Sequence, residues 1–360
     1  MVPFDASKDW AILAPLTPVT QNAAEDLARC IGLLRKQVEG MGEKIPGIVD
    51  AAGAAPDDSV PIIVLNMNQD RNERAGYSWR IGQGRIEIYG DSPRGICNGI
   101  YAFLASLGFR WPVPGQEQAP PPPTAGSAVY TLKEQGACVH SAAPESRRRL
   151  IMPTKISTKE ILALGRWAAR NRVDALVFSL FDRKIAGSKL AAELQNRWAL
   201  VLERGGWDLS RLVPRRSLFF KRDCFRMEEG KRIQAHHFCP TSPDTIAILQ
   251  RQTSAFLARQ KTKAEARRIY HLWPDRDAEE LWCACPACRA FSPREQIRMA
   301  VNTVAAMIAE KDPQALIFCR GEENPSEEQL PGGSEITLRP NVFRLPAILY
   351  LYEGGTIKEL

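Results

Sequence analysis

The spacing of apolar side chains changes several times along the chain, and each change predicts an element. Residues 20–42, TQNAAEDLARCIGLLRKQVEGMG, carry apolar groups at 27, 31, 33, 34 and 38, one face of an amphipathic helix with glycine behind its end. WAILAP (10–15) and VPIIVLN (60–66) are short apolar runs that predict strands. YSWRIGQGRIEIYG (77–90) alternates, with Ile86 and Ile88 between polar neighbours and Gly82 and Gly84 at the reversal, so it predicts a hairpin. A helix follows within 91–111, with Ser92 as cap, Pro93 in its first position and Gly108 at its end.

The pattern breaks at VPGQEQAPPPPTAGS (113–127). Prolines 120–123 lack backbone donors and favour an extended segment, which predicts a linker or surface strap. Beyond it, β-branched runs alternate with capped helices. The predicted strands are 147–152, 174–181, 198–206, 267–273, 315–321 and 342–350. The predicted helices run from the Ser157/Glu160 capping box to about residue 170, over 187–198, over 242–260 with Ser242 as cap, and from the Ser292/Glu295 capping box to about residue 311. Such βα alternation predicts a parallel sheet, and a closed barrel needs eight strands. The expected fold class is therefore α/β: a small N-terminal α+β domain (1–112), a Pro-rich linker (113–135) and a (β/α) TIM-barrel-like domain (136–360), incomplete at about six strands.

Composition adds limits. The chain has 360 residues, 44% of them hydrophobic and 25% charged, which describes a globular protein. No apolar run approaches the roughly 20 residues that span a bilayer, so no membrane association is expected. The first residues lack a basic stretch followed by an apolar core, so the expected location is cytoplasmic. The net charge of +7 comes with basic clusters at 147–149, 214–216 and 221–222; these read as solvated faces before they read as a nucleic-acid surface. There is no phosphate-binding loop and no G-x-S-x-G elbow, and the glycines at 82–84 sit in a hairpin and not at a dinucleotide-binding turn.

In a parallel βα architecture the loops after the strands carry the chemistry. Asp275 and Asp277 follow one predicted strand, Glu322 and Glu323 another, and Glu353 a third; Asp182 with Arg183 and Trp207 with Asp208 follow two more. Cleaving a glycosidic bond needs one acid to protonate the leaving oxygen and one carboxylate to activate water or attack carbon. Trp207, Trp273, Trp282 and His271 are candidate sugar contacts, because an indole can stack on a sugar and donate from its nitrogen. Arg183 and Arg276 suit an acidic sugar. Each of these groups also has a bland reading, as a solvated loop residue or a packed strand end. Nine cysteines form an odd set. Cys283, Cys285 and Cys288 are spaced for a structural zinc site, with a fourth ligand from Cys239, His236, His237, His271 or Cys319; the alternative is free thiols that order a turn. Thr241 and Ser242 precede a helix, where they can cap or bind an anion.

Residues 77–115, with their hairpin, GDSPRG, GIYAFL and GFRW, resemble the non-catalytic α/β domain that precedes the barrel in family 20 β-hexosaminidases and family 67 α-glucuronidases. The segments AARNRVDALVF (168–178), GGWDLSRLVPRR (205–216), FRMEEGKR (225–232), FCPTSPDT (238–245), CACPACR (283–289) and RPNV (339–342) resemble bacterial proteins of the uncharacterised domain-of-unknown-function family 4838. The resemblance implies a glycosidase-like barrel and a carbohydrate substrate. In YHLWPDRD (270–277), Asp275 matches the Asp of the family 20 Asp-Glu pair, but Arg276 stands where the Glu would be. Trp207 stands where a histidine is expected.

The leading expectation is a glycoside hydrolase relative that requires no cofactor. The alternatives are a carbohydrate-binding protein that kept the scaffold without catalysis and, more remotely, a basic nucleic-acid-binding protein. The shortfall in strands allows an oligomer or a partner chain that completes the barrel.

Overall fold

The fold is taken from a computed structural model, which describes residues 1–15, 17–38, 42, 44–52, 59–67, 76–82, 84–124, 127–138, 144–185, 188–259, 268–276, 280–320, 336–344 and 349–360. The chain divides into two compact units. One comprises Met1–Leu176, Leu190–Val201 and Ala347–Leu360, the other Val177–Lys189 and Leu202–Pro346.

The first unit opens with β1 (Val2–Asp5), β2 (Ala11–Ala14), α1 (Pro18–Lys36), β3 (Gly47–Asp50), β4 (Ile62–Met67), β5 (Tyr77–Gly82), β6 (Arg85–Gly90), α2 (Pro93–Ser106), β7 (Val129–Leu132) and β8 (Gln135–Cys138). Six of these strands form a sheet in the order β3-β2-β4-β6-β5-β8, and β1 pairs with β7. Helix α1 starts two residues before the predicted position, because Thr17 and Thr20 close a capping box around Pro18. The predicted hairpin is present, with Gly84 at φ +68° in its turn. GDSPRG follows from packing. A Cβ at Gly90 would lie 2.1 Å from the Ile96 nitrogen, and one at Gly95 2.5 Å from the Gly76 carbonyl oxygen. Ser92 accepts the Gly95 N–H as cap. Buried Arg94 donates to the carbonyls of Val173 (2.6 Å) and Trp198 (3.1 Å).

The remaining elements are β9 (Arg149–Ile151), α3 (Thr158–Arg170), β10 (Ala175–Phe178), α4 (Lys189–Trp198), β11 (Val201–Gly206), β12 (Phe225–Glu228), β13 (Lys231–Phe238), α5 (Pro243–Ala258), β14 (Ile269–Leu272), α6 (Pro293–Lys311), β15 (Leu316–Cys319), β16 (Val342–Arg344), β17 (Leu349–Glu353) and β18 (Thr356–Glu359). Both predicted capping boxes are formed, by Ser157 with Glu160 and by Ser292 with Glu295. Ser242 occupies the cap position of α5, but its hydroxyl makes no capping bond. Pro243 behind it has no N–H to satisfy.

Eight strands, β9 to β11 and β14 to β18, form a parallel-rich sheet, a TIM-barrel-like α/β arrangement. The expected six strands are two short. Residues 342–350 hold β16 and the start of β17, two strands and not one. β18 is antiparallel to β17 across a turn with Gly354 and Gly355 at φ +59° and +83°, so a count of βα units misses it. The β12–β13 hairpin, which the apolar pattern does not predict, is formed as well. No helix among the described residues is long and apolar enough to cross a membrane.

One buried charge cluster organises the helices of the first unit. Asp26 of α1 accepts from Tyr101 (2.9 Å), from Arg170 (2.9 and 3.0 Å) and from Arg166 (2.5 Å). Burial alone would raise its pKa, but the hydrogen bonds and charges of Arg170 and Arg166 outweigh burial and hold the carboxyl far below the ordinary carboxylate range. The native pKa thus lies below the unfolded value of about 3.9. The stabilisation is complete above that value and is lost as pH falls toward the native pKa. Asp26→Asn is expected to cost about 3 kcal/mol at neutral pH. Urea unfolding of both proteins across a pH series should show the difference shrinking below about pH 4.

Candidate active site

In the second unit β11, β14 and β15 run parallel, with Gly205 opposite His271 and His271 opposite Phe318. Strand alternation gives their two faces different contents. Tyr270, Leu272, Ile317 and Cys319 enter the core shared with residues of α5 and α6. On the other face, Ile269, Leu316 and Phe318 cluster. His271 stacks there on Phe318 at 5.7 Å and meets Trp273 edge-on at 5.1 Å. Its Nε2 lies 2.7 Å from a carboxylate oxygen of Glu203, and both side chains are fully buried. His271 is therefore a packed partner of Glu203. It does not line an open surface.

The chain leaves β11 through Gly205 and Gly206, at φ +121° and +107°. A Cβ on Gly205 would fall 1.9 Å from the His271 carbonyl oxygen, which explains GGWD. The Gly206 carbonyl accepts the Trp273 N–H at 3.0 Å, so Trp207 and Trp273 leave the sheet as neighbours. Trp273 is completely buried and offers no face to a ligand. Trp207 is half-buried, stands edge-on to Trp273 at 5.2 Å, and has the Arg276 guanidinium 5.7 Å from its ring centre.

Asp275 lies just past Trp273 and is half-buried. One carboxylate oxygen accepts the Ser210 hydroxyl. The other lies 3.8 Å from Nδ1 of His236. His236 reaches it through a strand irregularity. Pairing of β12 with β13 jumps from Arg226–Ile233 to Phe225–Phe238, leaving residues 234–237 out of register. His236 sits in this bulge at φ +58°, a left-handed conformation that costs about 1 kcal/mol or more outside glycine. His237 turns the other way and stacks on buried Trp282 at 4.3 Å.

The structure thus gathers Trp207, Asp275 and Arg276 with Ser210 and His236. Asp208, beside Trp207, accepts the Leu180 N–H (2.7 Å) and pairs with Arg211 (2.6 Å). Burial raises its pKa despite Arg211. Arg183 lines a separate cavity of about 350 Å³ with Phe181, Arg204, Phe256 and Arg259. Glu353 is exposed and pairs with Lys358 at 3.2 Å across the β17–β18 turn. Asp277, Glu322 and Glu323 lie outside the described residues.

The cysteine question also has a geometric answer. Cys283, Cys285 and Cys288 are buried together with Cys239, their sulfurs all within 4.8 Å of one another. The other proposed fourth ligands are engaged elsewhere: His236 with Asp275, His237 with Trp282, His271 with Glu203, and Cys319 in the helix-side core. Sequence reasoning missed the partnership of Glu203 with His271 and the role of Ser210. A charged residue in the buried run VLERGG was the available signal for Glu203.

No protein-family model matches the chain, and no curated protein does. Solved structures do. The chain is similar to the family 20 β-N-acetylhexosaminidase of Streptomyces coelicolor A3(2), with TM-score 0.50, 11% identity, and coverage of 90% of this chain and 67% of that one. It is also similar to the N-acetyl-β-hexosaminidase of Streptomyces plicatus in complex with Thio-NAglucal, with TM-score 0.51 and 12% identity over 88% of this chain. It spans 62% of the length of the latter. At these identities the likeness concerns the fold.

Removing one member of a buried, hydrogen-bonded pair costs about 3–5 kcal/mol. Glu203→Ala and His271→Ala are each expected to lose that much in denaturant unfolding. The double variant should lose clearly less than the sum, because the two side chains stabilise as a unit.

Proposed function

We propose that this is a carbohydrate-active protein that hydrolyses O-glycosyl bonds, with Asp275 as its central carboxylate. The observation that carries this reading is the position of Asp275. It stands past the carboxyl end of β14, held by Ser210 and His236 and beside Trp207 and Arg276. In folds of this type that end of the sheet is where ligands bind. Asp275 would act as the carboxylate that orients or activates the attacking group. His236 would hold that carboxylate in position. Trp207 would stack on the sugar ring, and Arg276 would pair with an acidic substituent. The second carboxyl group is assigned to the segment containing Asp277 or to Glu322 and Glu323. Such hydrolysis uses carboxylates and water and requires no cofactor. The resemblance of GGWD and CACPACR to family 4838 is not matched by a family model and assigns no substrate.

A second reading has a specific observation in its favour. Glu203 and Asp208, the carboxylates on and just after β11, are both buried and already paired, with His271 and with half-exposed Arg211. A protein that binds sugar without cleaving it would keep Trp207 and Arg276 and need no second acid.

Assays with a panel of aryl glycosides and glycosyluronides separate the two. Hydrolysis is expected, with kcat/KM falling roughly 10²-fold or more in Asp275→Asn. Unchanged turnover in that variant removes Asp275 from the mechanism. Calorimetric binding that is lost in Trp207→Ala, with no turnover of any substrate, selects the binding protein.

A further inference from the structure

The quartet formed by Cys239, Cys283, Cys285 and Cys288 lies outside the Asp275 cluster and has a geometry of its own. Its sulfurs are 3.8 Å apart for Cys239 and Cys285, and 3.6 Å for Cys239 and Cys288. A disulfide requires about 2.05 Å, so these pairs are not oxidised. A tetrahedron of thiolates around zinc, with Zn–S of about 2.3 Å, has edges of about 3.8 Å. These two spacings match that edge, and all four sulfurs lie within 4.8 Å of one another. The four residues come from two places far apart in sequence, 46 and 49 residues for the two pairs, and their side chains converge on one point.

The surroundings suit a charged metal–thiolate centre. The Met227 N–H donates to the Cys283 sulfur at 3.3 Å, and Arg232 lies 3.7 Å from the same atom. The Thr241 hydroxyl is 3.0 Å from the Cys288 sulfur and 3.4 Å from that of Cys239. One zinc ion with four thiolates carries a charge of −2, and these donors and Arg232 offset it in a buried place. The loop itself is held by Gln296 of α6. Its side-chain oxygen accepts the Cys283 N–H (3.0 Å), and its nitrogen donates to the carbonyls of Cys283 (3.1 Å) and Phe291 (3.1 Å). Cys239 follows β13, and Ala284 donates to the Met227 carbonyl of β12 at 2.8 Å.

We propose that Cys239, Cys283, Cys285 and Cys288 bind one zinc ion as a closed tetrathiolate site that fastens the β12–β13 hairpin to the loop leading into α6. With all four positions taken by protein sulfur, no position is open for water or substrate, so the site is structural. Binding forms four Zn–S bonds, and the thiol protons pass to solvent.

The test is metal analysis of the full chain purified without chelator. One zinc per chain is expected. The four thiols should resist a thiol reagent until a strong chelator removes the metal, and removal should lower Tm. Cys285→Ser is expected to lose the zinc, while Cys30→Ser, remote in sequence and buried, keeps it. Because a ligand variant can fail to fold, the wild-type protein is also stripped and reloaded with cobalt(II). Intense thiolate-to-cobalt charge transfer together with tetrahedral d–d absorption is the expected spectrum. Folded protein that contains no metal, has all four thiols reactive and gives no such cobalt spectrum overturns the proposal. Stoichiometric iron in place of zinc overturns the metal assignment. None of these readouts depends on glycosidase activity.

Discussion

A carboxylate and an imidazole, Glu203 and His271, are buried side by side on one face of a parallel sheet. Burying polar groups this deeply is costly unless they are hydrogen-bonded, and this contact supplies such a bond for both. Their contact pins β11 to β14 at the point where both strands are about to end. Everything at the candidate site follows within a few residues. Gly205 and Gly206 bend the chain out of β11, Trp207 packs against Trp273, and the loop past Trp273 presents Asp275. The pair thus lies at the base of the loops that carry the candidate site.

The opposite face of the same strands does different work. Tyr270, Leu272 and Ile317 bury their surface against the helices and hold the sheet in place. The division of labour between faces is ordinary strand alternation. One face holds the Glu203–His271 pair among Ile269, Leu316 and Phe318, and the other packs on the helices.

Much of the framework was legible in the sequence, and the reason is locality. Ser157 and Glu160, Ser292 and Glu295, and the 77–90 hairpin are each specified within a few residues, so the pattern carries the element. What was not legible depends on contacts distant in sequence. β14 is four residues long and buried on both faces, so nothing in IYHL separates a ligand-facing histidine from a packed one. Cys239 was one of five possible fourth sulfur or nitrogen donors, and only the fold brings it to the other three. The β12–β13 hairpin escaped notice because its strands are largely polar. Its turn, Glu229–Gly230 at φ +48° and +76°, was the signal that could have found it.

The bulge at residues 234–237 separates two duties along one strand. Because His236 makes no ladder pair, its side chain can be exchanged without touching the strand register on either side of the bulge, while neighbouring His237, buried against Trp282, ties the excursion down. Sequence change at this position is therefore decoupled from the placement of Cys239 beyond it. A strand built this way leaves one half-buried side chain open to change independently of foldability.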